Sequence, residues 1–275
     1  MDNKIFCSTG TMIGRVNNFD HTLAIKSRES VHADGWELMI LPPWYPDLAK
    51  ILCDFDKAGV GFDTIHADKE IGIIISGGDR LEYSEAKRRF EINCDAANAV
   101  GAKKMIFHLW GGPVSDSHFE NCERAYYDMK EIAQKHKITL TIENIPCTTR
   151  DPISVFHDLI KADGDVRFTF DTRFGAFHDQ LTKLPDDKEI SGRICHMHIS
   201  DYTGCFREWG KIRPIVHPGE GVIDFDKFLP YISKIYHGTV TLESPVMCAD
   251  GSVDLDKLNK TLDYIKEMTR SGIDR

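Results

Sequence analysis

Apolar residues recur along this chain at two spacings. Short runs whose neighbours alternate in character read as strands, because successive strand side chains point to opposite faces. They fall at 4–9, 36–41, 62–67, 104–109, 138–144, 166–171, 193–200 and 239–244. Between them lie segments with apolar residues three or four apart, the spacing of one helix face. These include YPDLAKILCDFDKAG, SEAKRRFEINCDAANAVGA, SHFENCERAYYDMKEIAQKHK, DFDKFLPYISKIYHG and, last, DLDKLNKTLDYIKEMTR. Ser84 and Asp224 precede helical runs, and Gly59, Gly101 and Gly238 follow them. The helical pattern is faintest in the first segment, 18–31. Strand–helix alternation implies parallel strands with right-handed crossovers, and eight such units predict a (β/α)8 TIM barrel. One domain over residues 1–275 is expected, since no linker or low-complexity tract divides the chain. An open doubly wound sheet would compete, but no G-x-G-x-x-G follows the first strand.

The chemistry collects where strands end. FDTIHAD, MIFHLW, LTIEN, FTFDT, CHMHISD and TLESP carry His66, His108, Glu143, Asp171, His198 and Glu243 at or near their C-terminal ends. Alternation places Thr139, Thr141 and Glu143 on one face and Leu140 and Ile142 on the other. The same reading opposes Thr169 and Asp171 to Phe168 and Phe170, and Thr239, Thr241 and Glu243 to Val240 and Leu242. Strands arranged around one axis would aim these polar ends at a common point. A single strand-terminal acid is better read as a solvated charge. Several buried together need a compensating cation. Glu143, Asp171, His198 and Glu243 offer three oxygens and one nitrogen, a set suited to one divalent metal, Mn²⁺ or Mg²⁺ first and Co²⁺ or Zn²⁺ next.

His66 and His108 admit two readings, ligands of a second cation sharing Glu143 or donors to substrate hydroxyl groups. His196, two residues deeper than His198 on its strand face, reads as a hydrogen-bonded interior histidine. His178 and His217 fall in loops, where His217 is a candidate substrate contact. Trp110, Trp209 and Phe174 are candidate apolar walls, with Trp110 taken as substrate-binding; Arg207 is a candidate clamp for an anionic or polyhydroxylated ligand. The longest irregular stretch, 201–223, follows the seventh strand and so lies on the active face of a barrel. Its Gly219-Glu220-Gly221 turn would let backbone approach a ligand closely.

Composition narrows the class. The 34 basic and 43 acidic residues give a formal charge of −9, and the Lys87-Arg88-Arg89 cluster is interleaved with glutamates. No nucleic acid is expected as partner. No apolar run approaches the ~20 residues needed to cross a bilayer, so no membrane is expected either. Eight cysteines without a C-x-x-C pair, and an N-terminus without a signal-peptide core, imply reduced thiols and a cytoplasmic protein. The sequence is compatible with a homo-oligomer without specifying one.

FHLWGG, TIENIP, FTFDT, HMHISD, HPGEGVIDF and TLESP, in this order and spacing, resemble the xylose isomerase-like TIM-barrel superfamily over roughly 4–268. That group includes sugar isomerases and epimerases, inosose dehydratase and endonuclease IV. The resemblance to ketose 3-epimerases implies one divalent metal on Glu143, Asp171, His198 and Glu243, with Glu143 and Glu243 also serving as catalytic acid and base. It implies a small polyhydroxylated carbonyl substrate, isomerised or epimerised through an enediolate. An inosose-type dehydratase would share the first step. An endonuclease IV-like phosphodiesterase is the other enzyme class, and a non-catalytic sugar-binding barrel the third reading. Departures are specific. Phe174 stands where endonuclease IV has a histidine, and Arg213-Pro214-Ile215 where it has Asp-x-His, so its third metal site is lost. Thr149 and Gly204 stand where epimerases carry a substrate-binding glutamate and an arginine.

Overall fold

A computed structural model describes residues 3–111 and 115–271; Gly112, the last residue of FHLWGG, lies outside them. Eight parallel strands close into a barrel in sequence order. They are β1 (Lys4–Ser8), β2 (Gly35–Met39), β3 (Thr64–His66), β4 (Lys104–Phe107), β5 (Thr139–Glu143), β6 (Arg167–Asp171), β7 (Ile194–Ile199) and β8 (Thr239–Leu242). The first half of the outer layer is α1 (Thr22–Ser27), α2 (Leu48–Lys57), α3 (Glu70–Gly77), α4 (Arg80–Ala99) and α5 (Phe119–Lys135). The second half is α6 (Pro152–Ala162), α7 (Thr172–Phe177), α8 (Lys183–Asp186), α9 (Lys188–Ser191), α10 (Phe225–Ile232) and α11 (Leu255–Ser271). The (β/α)8 barrel expected from the pattern is the observed fold. Among the described residues, no helix is long and apolar enough to cross a membrane, and all eight cysteines are free thiols.

Every expected strand is present, trimmed by one to three residues. At the C-terminal ends His108 and Leu109 leave β4, and Glu243 and Ser244 leave β8, as the sheet opens into mouth loops; β3 also loses two residues at its start, and β2 begins one residue earlier than expected. The helix expected over 18–31 shrinks to α1, because Asn18 and Phe19 both take left-handed φ values (54° and 57°) and turn the chain first. Helix α4 begins four residues before Ser84. Asp224 does cap α10, accepting from the Lys227 N–H, and Asp151 caps α6 ahead of Pro152.

Alternation partitions the barrel as the pattern requires. Leu140, Ile142, Phe168, Phe170, Met197, Ile199, Val240 and Leu242 face outward and pack under the helices. Burying each such side chain contributes about 1.5–3 kcal/mol. The inward layer beneath the mouth is polar where barrels commonly carry branched aliphatics. Thr141 and Thr169 share a 2.6 Å hydroxyl contact, and Thr241 Oγ1 lies 3.1 Å from His196 Nε2. Register sets Asp171 beside His198 and His198 beside Thr241, so the site's side chains emerge at one level. Gly72 lets α3 press directly on the His108 carbonyl, since any Cβ there would overlap that oxygen.

Candidate active site

Glu143, Asp171, His198 and Glu243 converge at the C-terminal mouth. One ligand-type atom from each lies within 4.8 Å of all the others. Relative exposure is 1%, 0%, 0% and 5%, so water does little to screen them. His198 Nδ1 is 2.7 Å from Glu143 Oε1 and 3.6 Å from Glu243 Oε2. Asp171 arrives at the end of β6, where its Oδ1 caps α7 through the Phe174 N–H at 2.9 Å. Asn144 holds the Asp171 backbone on both sides, accepting its N–H at 2.6 Å and donating to its carbonyl at 3.1 Å. After these bonds Glu143 Oε2, Asp171 Oδ2 and Glu243 Oε1 remain buried without a hydrogen-bond partner. Orphaned oxygens on three adjacent carboxylates are costly unless a cation joins them. The donor set therefore fits a divalent metal.

Electrostatics agree with the geometry. Burial would raise Glu143, but His198 and His108 hold its carboxyl well below the usual range. Burial and the neighbouring Glu143 and Glu243 charges push Asp171 up to about 6, against the pull of Arg173. Burial opposes the charged form of His198, yet Glu243, Glu37 and Glu143 raise it well above an ordinary histidine. One imidazolium thus balances part of the cluster's negative charge, and a proton and a cation are rivals for the same pocket.

His66 and His108 flank Glu143. His66 Nδ1–H donates to the Ala67 carbonyl at 2.8 Å, which turns Nε2 toward the site as an acceptor, 3.5 Å from Glu143 Oε2. The Nδ1–H is thus spent within the chain, and Nε2 is the nitrogen left to face a ligand. His108 Nε2 stands 2.6 Å from the same oxygen without hydrogen-bond alignment, and burial lowers its pKa to about 4.

The other candidates are placed differently. Trp110 is fully buried, donates Nε1–H to the Ile145 carbonyl and packs edge-on against Phe119. Arg207 bonds the Cys147 and Thr148 carbonyls, tying down the segment after β5. His217 spends Nε2 on the Pro245 carbonyl and Nδ1 on Ser244 Oγ. These three brace the mouth loops. His178 does likewise, accepting the Cys147 N–H at 3.0 Å with its pKa lowered to about 4 by burial and then by Arg207. Phe174 lies under the Arg173 guanidinium, 4.2 Å from ring centre, and Trp209 packs edge-on against Phe177.

Sequence reasoning missed Glu37, Asp201 and Lys69. Glu37 projects from β2 into the barrel below His198, fully buried, and accepts from Thr64 Oγ1 at 3.1 Å. The signal was present: Trp36 and Leu38 pack outward, so alternation turns the glutamate between them inward. Asp201 follows β7 and accepts the N–H groups of Tyr202, Gly219, Gly221 and Ile223. Lys69, just before α3, supplies positive charge that is felt by Glu243 and His108.

A family model described as xylose isomerase-like TIM barrel matches residues 29–268. No curated protein matches the chain. Among solved structures, a D-tagatose 3-epimerase-like protein superposes with a TM-score of 0.69 at 18% identity, covering 98% of this chain and 99% of that one. D-allulose 3-epimerase from Methylomonas sp., in complex with D-allulose, gives 0.69 at 15% identity and 97% of each chain. The IOLI protein with a binding zinc atom gives 0.65 at 15%, covering 98% of this chain and 96% of that one. At such identities the likeness carries the fold alone.

Proposed function

The chain belongs to the xylose isomerase-like TIM-barrel family, and from that premise we propose a divalent-metal-dependent isomerase or epimerase acting on a small polyhydroxylated carbonyl compound. The observation that carries the proposal is the buried cluster of Glu143, Asp171, His198 and Glu243, whose ligand-type atoms lie within 4.8 Å of one another. Structural neighbours bearing a zinc atom and a bound ketose support it.

These four side chains would hold the ion, Mn²⁺ or Mg²⁺ by their oxygen-rich character, with Co²⁺ or Zn²⁺ also accommodated. Such an ion, when bound, supplies Lewis acidity toward a carbonyl and its neighbouring hydroxyl. Glu143 ends β5 and Glu243 directly follows β8, on opposite sides of His198 in the barrel order. One carboxylate takes the proton from the carbon next to the carbonyl, and the electron pair moves onto the carbonyl oxygen. The other returns a proton, to the opposite face of the same carbon in an epimerisation or to the former carbonyl carbon in an isomerisation, where the neighbouring hydroxyl's proton passes to the former carbonyl oxygen. His66 Nε2 accepts from a substrate hydroxyl. Asp171 is fixed by Asn144 and its helix cap and serves the ion alone. A positioned carboxylate contributes about 10²–10⁴-fold to proton transfer.

A dehydratase would begin with the same abstraction and then expel a β-hydroxyl. A phosphodiesterase finds no support: Phe174 offers no donor where a third metal would need one, and the formal charge is −9.

Solvent deuterium exchange into a panel of ketoses and inososes, with and without Mn²⁺, tests the proposal. Metal-dependent exchange that disappears in Glu143→Gln supports proton abstraction. Exchange that persists in both Glu143→Gln and Glu243→Gln, or its absence with every compound, contradicts it.

A further inference from the structure

His198 is held at both ring nitrogens. Nδ1 faces Glu143 and Glu243, as described above, while Nε2 lies 3.3 Å from each oxygen of Glu37 and is aligned for a hydrogen bond with Oε2. A neutral imidazole carries one N–H and one lone pair. If Nε2 keeps its proton for Glu37, the Nδ1 lone pair points into the carboxylate cluster. If Nε2 loses it, the lone pair points down the barrel and the cluster loses its nitrogen.

Glu37 is built to enforce the first arrangement. It is fully buried, Thr64 Oγ1 donates to its Oε2 at 3.1 Å, and His196 Nε2 lies 2.9 Å from the same oxygen. The His66 ring lies nearly parallel to His198, 5.6 Å between centres and 16° between planes, which limits tilt. We propose that Glu37 is a positioning residue: by accepting the Nε2 proton of His198 it fixes the tautomer and ring orientation that present Nδ1 to a cation at Glu143, Asp171 and Glu243. Carboxylates behind a ligating histidine raise its basicity and typically contribute 10–100-fold in metal affinity. The rival arrangement is equally concrete. Glu37, His196 and His198 also bring ligand-type atoms within 4.8 Å, and a cation seated among them would use Nε2.

The inference rests on the metal-binding reading of the four-residue cluster, and its test separates the two. Metal-free protein is titrated with Co²⁺, followed by visible absorption, for the wild type, Glu37→Gln and Asp171→Asn. The expected result is a roughly 10–100-fold weaker affinity and an altered spectrum for Glu37→Gln, with thermal midpoint close to wild type. Wild-type binding that Asp171→Asn weakens and Glu37→Gln leaves unchanged in affinity and spectrum overturns the role of Glu37 alone. A wild type that takes no Co²⁺ overturns both readings. Should Glu37→Gln fail to fold, nitrogen NMR of the histidine rings in Zn²⁺-loaded wild type decides. A protonated Nε2 with Nδ1 bound to metal is expected, and metal on Nε2 contradicts the proposal.

Discussion

Each carboxylate of the cluster has one oxygen committed and one uncommitted. Glu143 turns Oε1 to His198, Asp171 gives Oδ1 to the N-terminus of α7, and Glu243 directs Oε2 toward His198. This division makes the residues separable by substitution. Asp171→Asn keeps an oxygen for the cap and removes the charge. It is expected to weaken metal binding by at least the ~10–100-fold that changes behind a ligand cost, with little change in thermal midpoint; calorimetric titration with Mn²⁺ measures the first and a thermal melt the second. Glu243→Gln is expected to cut exchange by about 10²–10⁴-fold. Kinetics at saturating metal separate that loss from weaker metal binding. The convergence of these carboxylates was legible because Glu143 and Asp171 end, and Glu243 directly follows, strands whose alternation already fixed their faces. The donor or acceptor role of His66 was not legible, because its partner is a carbonyl oxygen whose position depends on how the chain leaves β3.

The loops of the mouth owe their shape to acids that sit behind them. Asp201 gathers four backbone N–H groups of the segment after β7, and Gly221 is required because a side chain there would overlap the Asp201 carboxylate and the Tyr202 carbonyl. Gly221→Ala is therefore expected to lower stability by about 1–3 kcal/mol, read from chemical denaturation. The Gly219-Glu220-Gly221 turn had suggested close approach to a ligand. What approaches is the chain's own aspartate. Asp116 performs the corresponding task after β5, accepting the N–H groups of Thr148, Thr149 and Arg150. Asp116→Ala is expected to speed hydrogen exchange at those three amides while leaving β5 protected; unchanged exchange there would contradict the assignment. Arg207, His217 and Trp110 look like ligand contacts in a sequence because loops of a barrel mouth carry function. Their partners, the carbonyls of 147, 148, 245 and 145, lie far away in the chain and only folding brings them into reach.

At the scale of the molecule, the barrel concentrates unscreened charge at one end and neutral histidines around it. His178 is the clearest of these, with a folded pKa of about 4 set by burial and Arg207. A histidine whose folded pKa lies below its unfolded value of about 6.5 adds stability that is complete above that value and is lost as pH falls through the folded one. Thermal midpoints should thus decline between about pH 6.5 and 4, and less so in His178→Gln, whose amide oxygen can still accept the Cys147 N–H; an identical decline would contradict this role. The closed eight-stranded order was readable because the strand–helix rhythm is regular from end to end. Glu37 was not read, because it sits mid-strand and its partners His196 and His198 come from β7, which only barrel closure sets across from β2. The claim on which everything depends is that four side chains from β5 to β8 meet around a single ion. A crystal grown with Mn²⁺ and measured near the manganese absorption edge tests it directly. One anomalous peak per chain, about 2–2.6 Å from oxygens of Glu143, Asp171 and Glu243 and from His198 Nδ1, is the predicted result. No peak at those residues, or one seated on Glu37 and His196 instead, would contradict it.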